Sequence, residues 1–201
     1  MKRIVLTVNR RKKQIYKMST KRATITERQF TFAWLFQGAE SEFEEAVSVE
    51  EGSFYNFMFS VVFLAFSIEA YLNQIGEKLF PDWAKYERRP HKEKLKKVVR
   101  RLKFKPDFSS LPFQSYDEIF RFRNLIAHAK PGEFSEFERV CNLGSVFKFL
   151  CCTESMITEI HKKFVEYIET HEDENGEDFF EDTGMLKSNP FGIMGISISD
   201  E

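Results

Sequence analysis

A chain of 201 residues that is 42% hydrophobic and 30% charged can bury one substantial core and falls outside the composition of disordered segments. Its net charge of −1 conceals segregation. Residues 1–28 carry ten Lys/Arg against one Glu, residues 85–105 eleven against two, and residues 166–182 nine Asp/Glu with no Lys or Arg. Such blocks fit a polyanionic partner for the basic parts, or an acidic tail covering a basic surface; solvated faces are the alternative.

Residues 1–29 form a basic extension in which RIVLTV and RATIT alternate as short strands do. The start MKR leads into a short apolar run and then more charge, which is not a secretory pattern. Three cysteines without CxxC spacing (Cys141, Cys151 and Cys152) make a poor disulfide framework, so a reducing, cytoplasmic setting is expected. From Phe30 to about Val47, Ala33, Phe36, Ala39, Phe43 and Val47 recur at helical spacing. EEGS then punctuates the chain, with Ser53 as N-cap.

Residues 54–80 are the most apolar part of the chain and are long enough to span a bilayer. Asn56, Ser60, Ser67, Glu69 and Asn73 argue against that, because a mid-helix Glu in hydrocarbon costs about 2–3 kcal/mol. The central helix of a bundle is the simpler reading, with no membrane partner. The next helix, 91–104, sets Leu95, Val98, Val99 and Leu102 against a Lys/Arg face. On that face Lys96, Lys97, Arg100 and Arg101 can track a phosphate backbone. SYDE (115–118) and SEFE (135–138) are capping boxes. The helix that Ser115 opens runs to about Ala129 and stops at Pro131-Gly132. After a break near Asn142-Leu143-Gly144, a long amphipathic helix runs from Ser145 to about Thr170. Residues 172–201 form an acidic tail in which GIMGISIS could add a strand. The expected architecture is mainly α: an up-and-down bundle of four to five helices over 30–171, with a few short strands from the extensions.

FRFRNLIAHAK (120–130) holds the candidate chemistry. Residues four apart on a helix differ by ~40° and residues five apart by ~140°. Asn124 and His128 therefore share a face, and Arg123 has to curl round to join them. His128 falls near the negative end of the helix dipole with Arg123 opposing its charge, a position suited to proton transfer. Lys130 follows, within reach of a phosphate. Glu69 and Asn73 share a face of the apolar helix. A carboxylate buried there needs a partner such as Arg123, the alternative being a Glu that faces water. His91, His161 and His171 have no ligand spacing, so neither a metal nor another cofactor is expected.

The Glu-bearing helix FLAFSIEAYLNQI (63–75), the polar helix carrying EKL (93–95) and RNLIAH (123–128), in that order, resemble the HEPN superfamily (higher eukaryotes and prokaryotes nucleotide-binding domains) and its R-x4-H motif. The resemblance covers about residues 50–170. It implies an all-α homodimer that brings two R-x4-H motifs into one cleft and acts as a metal-independent endoribonuclease, in a toxin–antitoxin or defence setting with a cognate antitoxin or other protein partner. By that resemblance His128 moves the proton of the ribose 2′-OH or of the leaving oxygen, and Arg123 holds the scissile phosphate. Asn124 orients His128 or bonds RNA, and Glu69 positions Arg123. Many members keep the fold without the activity. The alternative is therefore a non-catalytic dimeric module that binds nucleotide, RNA or a protein partner, and a third reading is a purely structural dimer.

Overall fold

The computed structural model describes residues 31–49, 53–128 and 134–171. Six α-helices occur there and no strand: α1 (Thr31–Ser48), α2 (Ser53–Leu79), α3 (His91–Arg101), α4 (Gln114–His128), α5 (Phe134–Val140) and α6 (Leu143–Thr170). A single 3₁₀ turn, Trp83–Lys85, follows α2. The expected strands, Lys130, the Pro131-Gly132 stop and the acidic tail lie outside the described residues.

The bundle is built around α2, which packs against α1, α3, α4 and α6. Its apolar residues serve several neighbours, with Leu64, Ala65, Tyr71, Leu72 and Ile75 fully buried. Asn56, Ser60, Ser67 and Glu69, which argued against a bilayer, bond within the protein. The Ser60 hydroxyl donates to the Ala39 carbonyl at 2.8 Å and the Ser67 hydroxyl to the Phe32 carbonyl at 2.8 Å. Seven residues forward on α2 match seven residues back on α1, so the pair is antiparallel and in fixed register. Asn56 continues the series with Glu42 at 2.9 Å. Ala33 and Ala39 keep the α1 backbone close enough for those hydroxyls to reach. By length and apolarity alone α2 would also qualify as a membrane span, with half of its most apolar window buried.

The ends of the helices follow local chemistry. Asn142 caps α6 by accepting from the Ser145 amide at 3.0 Å, so the predicted break is the helix start. At the end of α3, the Phe104 amide bonds the Val99 carbonyl and the Lys103 amide bonds Arg100. This is a Schellman ending, with Lys103 at φ 52° where glycine is usual. The SYDE capping box does not form. Carbonyls of Pro112 and Phe113 already take the amides of Ser115 and Tyr116, so α4 starts at Gln114 and Ser115 lies buried inside it. Glu118 turns away to pair with Lys148 at 2.8 Å and Arg139 at 3.4 Å. Ser135 likewise lies within α5, the short helix that raises the count above the expected four to five.

Two further expectations need correction. Lys94, expected on the basic face, is only 1% exposed because it stands one turn before Val98 and turns inward with it. The apolar helical stretch around Cys151 and Cys152 places both in the core by sequence, yet only Cys152 is buried, while Cys151 is exposed.

Trp83 closes the end of the bundle by lying across Gly76, where a Cβ would overlap the indole ring. Its ring also stacks on Phe80 and Tyr86 at 5.8 and 6.0 Å. Gly76→Ala is therefore expected to lower the unfolding free energy by about 1–3 kcal/mol in urea titrations. An unchanged midpoint would mean that the ring is not seated there.

Candidate functional site

The polar residues of α2, α3 and α4 meet at Glu69. One carboxylate oxygen accepts from Lys94 Nζ at 2.8 Å and the other from Arg123 Nη2 at 2.8 Å. Arg123 follows Tyr116, Ile119 and Phe120 on the buried face of α4 and reaches Glu69 from that face, while its Nη1 donates to Asn124 Oδ1 at 3.0 Å. Its guanidinium lies 5.5 Å from the Phe120 ring centre and 5.9 Å from that of Phe66. The Arg123 Nε is buried without a partner. Two cations thus share one carboxylate, leaving a local positive excess. Glu69→Gln would leave Lys94 buried against a neutral amide. The expected loss is about 3 kcal/mol of unfolding free energy by urea titration, and more than Lys94→Met costs.

The second cluster is one the sequence reading missed. His91, the first residue of α3, stacks flat on Phe120, with ring centres 3.7 Å apart and planes 3° from parallel. Its Nδ1 bonds the buried Tyr116 hydroxyl at 2.8 Å. Burial and the neighbouring Arg123 charge push the His91 imidazole down to about 4, so it is neutral at pH 7. Burial pushes the Tyr116 hydroxyl well above its ordinary range, so it keeps its proton. His91 had seemed uninformative because it lacks ligand spacing. Its partners lie 25 and 29 positions away along the chain, and no local pattern points to them.

Between the start of α3 and the exposed face of α4 runs an open groove of about 440 Å³, lined by His91, Lys92, Asp117, Glu118, Phe120, Arg121 and Asn124. Lys92 spans it to Asp117, at 3.0 and 3.1 Å from the two carboxylate oxygens. Burial raises the Glu118 carboxyl, but hydrogen bonds and charge from Lys148 and Arg139 outweigh this and hold it below its usual value.

The remaining expected site residues are dispersed. His128 is the exposed last residue of α4, on the Asn124 side of the helix but outside the Glu69 network. Asn73 is half-buried one turn from Glu69, its Oδ1 buried without a partner. On α3, Lys96, Arg100 and Arg101 are exposed and Lys97 is half-buried, and both Lys97 and Arg101 lie over aromatic rings. Lys97 lies 3.3 Å from the Tyr86 ring centre and 4.5 Å from that of Phe80, with Asp82 at 3.4 Å. Arg101 lies over Tyr167 at 5.2 Å. Among the described residues no group of three or more His, Cys, Asp or Glu is arranged to hold a metal ion. No family model matches the chain, and neither a curated protein nor a solved structure is significantly similar to it.

The depressed His91 value has a signed consequence. Between pH 6.5 and about 4 the unfolded chain takes up a proton at His91 that the folded chain refuses, so stability falls as pH falls through that window. Above 6.5 the residue contributes no pH dependence. Urea midpoints of wild type and His91→Gln should diverge from one another only inside the window. Parallel curves throughout would refute the assignment.

Proposed function

We propose that the chain is a HEPN-type, metal-independent endoribonuclease that works as a homodimer in the cytoplasm. The observation that carries this reading is the Glu69–Arg123 ion pair between α2 and α4, which fixes a guanidinium on the same short motif as Asn124 and His128. A clamped guanidinium, planar and always charged, suits a phosphate whose charge grows during reaction. In the proposed step the ribose 2′-oxygen forms a bond to phosphorus while the bond to the 5′-oxygen breaks. His128 takes the 2′-OH proton or supplies one to the departing oxygen, and a 2′,3′-cyclic phosphate remains.

A second pattern supports the homodimer that the resemblance implies. Tyr55, Phe59, Val62, Phe66, Glu69 and Asn73 follow one another at alternating four- and three-residue steps, the seam of a coiled coil. Tyr55, Phe59 and Phe66 are 63%, 47% and 41% exposed. A second α2 seated on that seam would bring two Glu69–Arg123 pairs together. The alternative of a non-catalytic dimeric module binding RNA, nucleotide or a protein partner is favoured by His128 standing outside the Glu69 network.

The reading is tested with purified protein and single-stranded RNA in EDTA. Cleavage leaving cyclic phosphate ends is expected, with a loss of about 100-fold or more in His128→Ala. Phe59→Glu should turn dimer into monomer by sedimentation velocity and abolish cleavage together. If wild type cuts nothing, or His128→Ala cuts equally well, the nuclease reading fails and the binding module stands.

A further inference from the structure

The α3–α4 groove is a separate feature of the same face, and its chemistry is not used by the Arg123–His128 assignment. Three properties describe what it would accept. The first is charge. Lys94 and Arg123 share the single Glu69 carboxylate behind the groove, and the Lys92 ammonium stands within it against Asp117. Two cations on one carboxylate leave a positive excess behind the groove that favours an anion. The second is donor geometry. Because Asn124 Oδ1 accepts from Arg123, its amide nitrogen is left as a donor on the groove side. The third is a flat polar edge. With His91 Nδ1 committed to Tyr116 and the ring locked against Phe120, Nε2 is the imidazole atom left for a ligand.

Anion-seeking cations beside a fixed heteroaromatic edge suit a phosphate ester carrying a base. Asp117, Arg121, Asn124 and His128 step along one face of α4 at helical intervals, so the groove and the motif histidine share one track.

We propose that this groove is a nucleotide subsite: it holds one unpaired ribonucleotide next to the scissile phosphate, with its phosphate on Lys92 and its base edge on His91 and Asn124. The inference rests on RNA being the substrate but not on cleavage occurring. An occupying phosphate displaces Asp117 from Lys92, so Asp117 competes with the ligand for the same cation. The two residues therefore have opposite expected effects when changed, which a merely structural role would not produce.

The test is binding of a fluorescein-labelled, uncleavable 2′-O-methyl RNA hexanucleotide, read by anisotropy. Lys92→Ala is expected to weaken binding about tenfold and to reduce the slope of log Kd against log salt by about 0.7, one phosphate contact to a single strand. Asp117→Asn is expected to tighten binding about threefold. His91→Gln, checked for folding by circular dichroism, should weaken binding while leaving the salt slope unchanged. Both Lys92 and Asp117 are well exposed, so their variants keep the test open even if His91→Gln unfolds. Equal affinity of wild type, Lys92→Ala and Asp117→Asn would overturn the subsite, even if the protein cleaves RNA. The predicted opposite shifts in a protein that cuts nothing would uphold the subsite and refute only the nuclease.

Discussion

A buried ammonium group sets the plan of this site. Lys94 is almost wholly withdrawn from water, and its charge is met by Glu69, 25 residues earlier on the central helix. An unpaired ammonium in that position would cost several kcal/mol, so α3 can pack on α2 only where the carboxylate waits for it. The same carboxylate then holds Arg123 and so ties in α4. Three helices are indexed to one another through a single acidic side chain, and the groove, the His91 stack and the exposed seam all take their positions from that index.

The arrangement also makes the Arg123 guanidinium rigid. Arg123 is held at one nitrogen by Glu69 and at another by Asn124, with ring faces of Phe66 and Phe120 beside it. Its Nε remains unsatisfied. A guanidinium restrained in this way loses little freedom when an anion arrives, which lowers the entropic cost of binding. His91, neutral and stacked, is similarly fixed.

Much of the scaffold was legible in the chain. Apolar patterning placed α1, α2, α3 and α6, and Glu69, if buried, called for a partner such as Arg123; it holds both Arg123 and Lys94. What could not be read was decided by tertiary competition. Ser115 has the spacing of a cap, but carbonyls of the preceding turn reach the amides first. Lys94 belongs to a basic run by composition, yet its phase relative to Val98 turns it inward. His91 gained its environment from Tyr116 and Phe120, across a loop whose path no periodicity describes. The homodimer and the chemistry assigned to His128 rest on resemblance, and the geometry adds the clamp on Arg123 and the exposed seam.

The bonds that set α1 against α2 have one more implication. Ser60 and Ser67 grip carbonyl oxygens of the main chain, at Ala39 and Phe32. Any amino acid there would offer the same oxygen, so this lock constrains only one of the two helices at the level of residue identity. Over evolutionary time the side chains at 32 and 39 can drift, limited by fit alone, while the helix alignment stays put. Paired substitutions would leave little trace of such a fastening, and the architecture could outlast recognisable similarity between chains that share it.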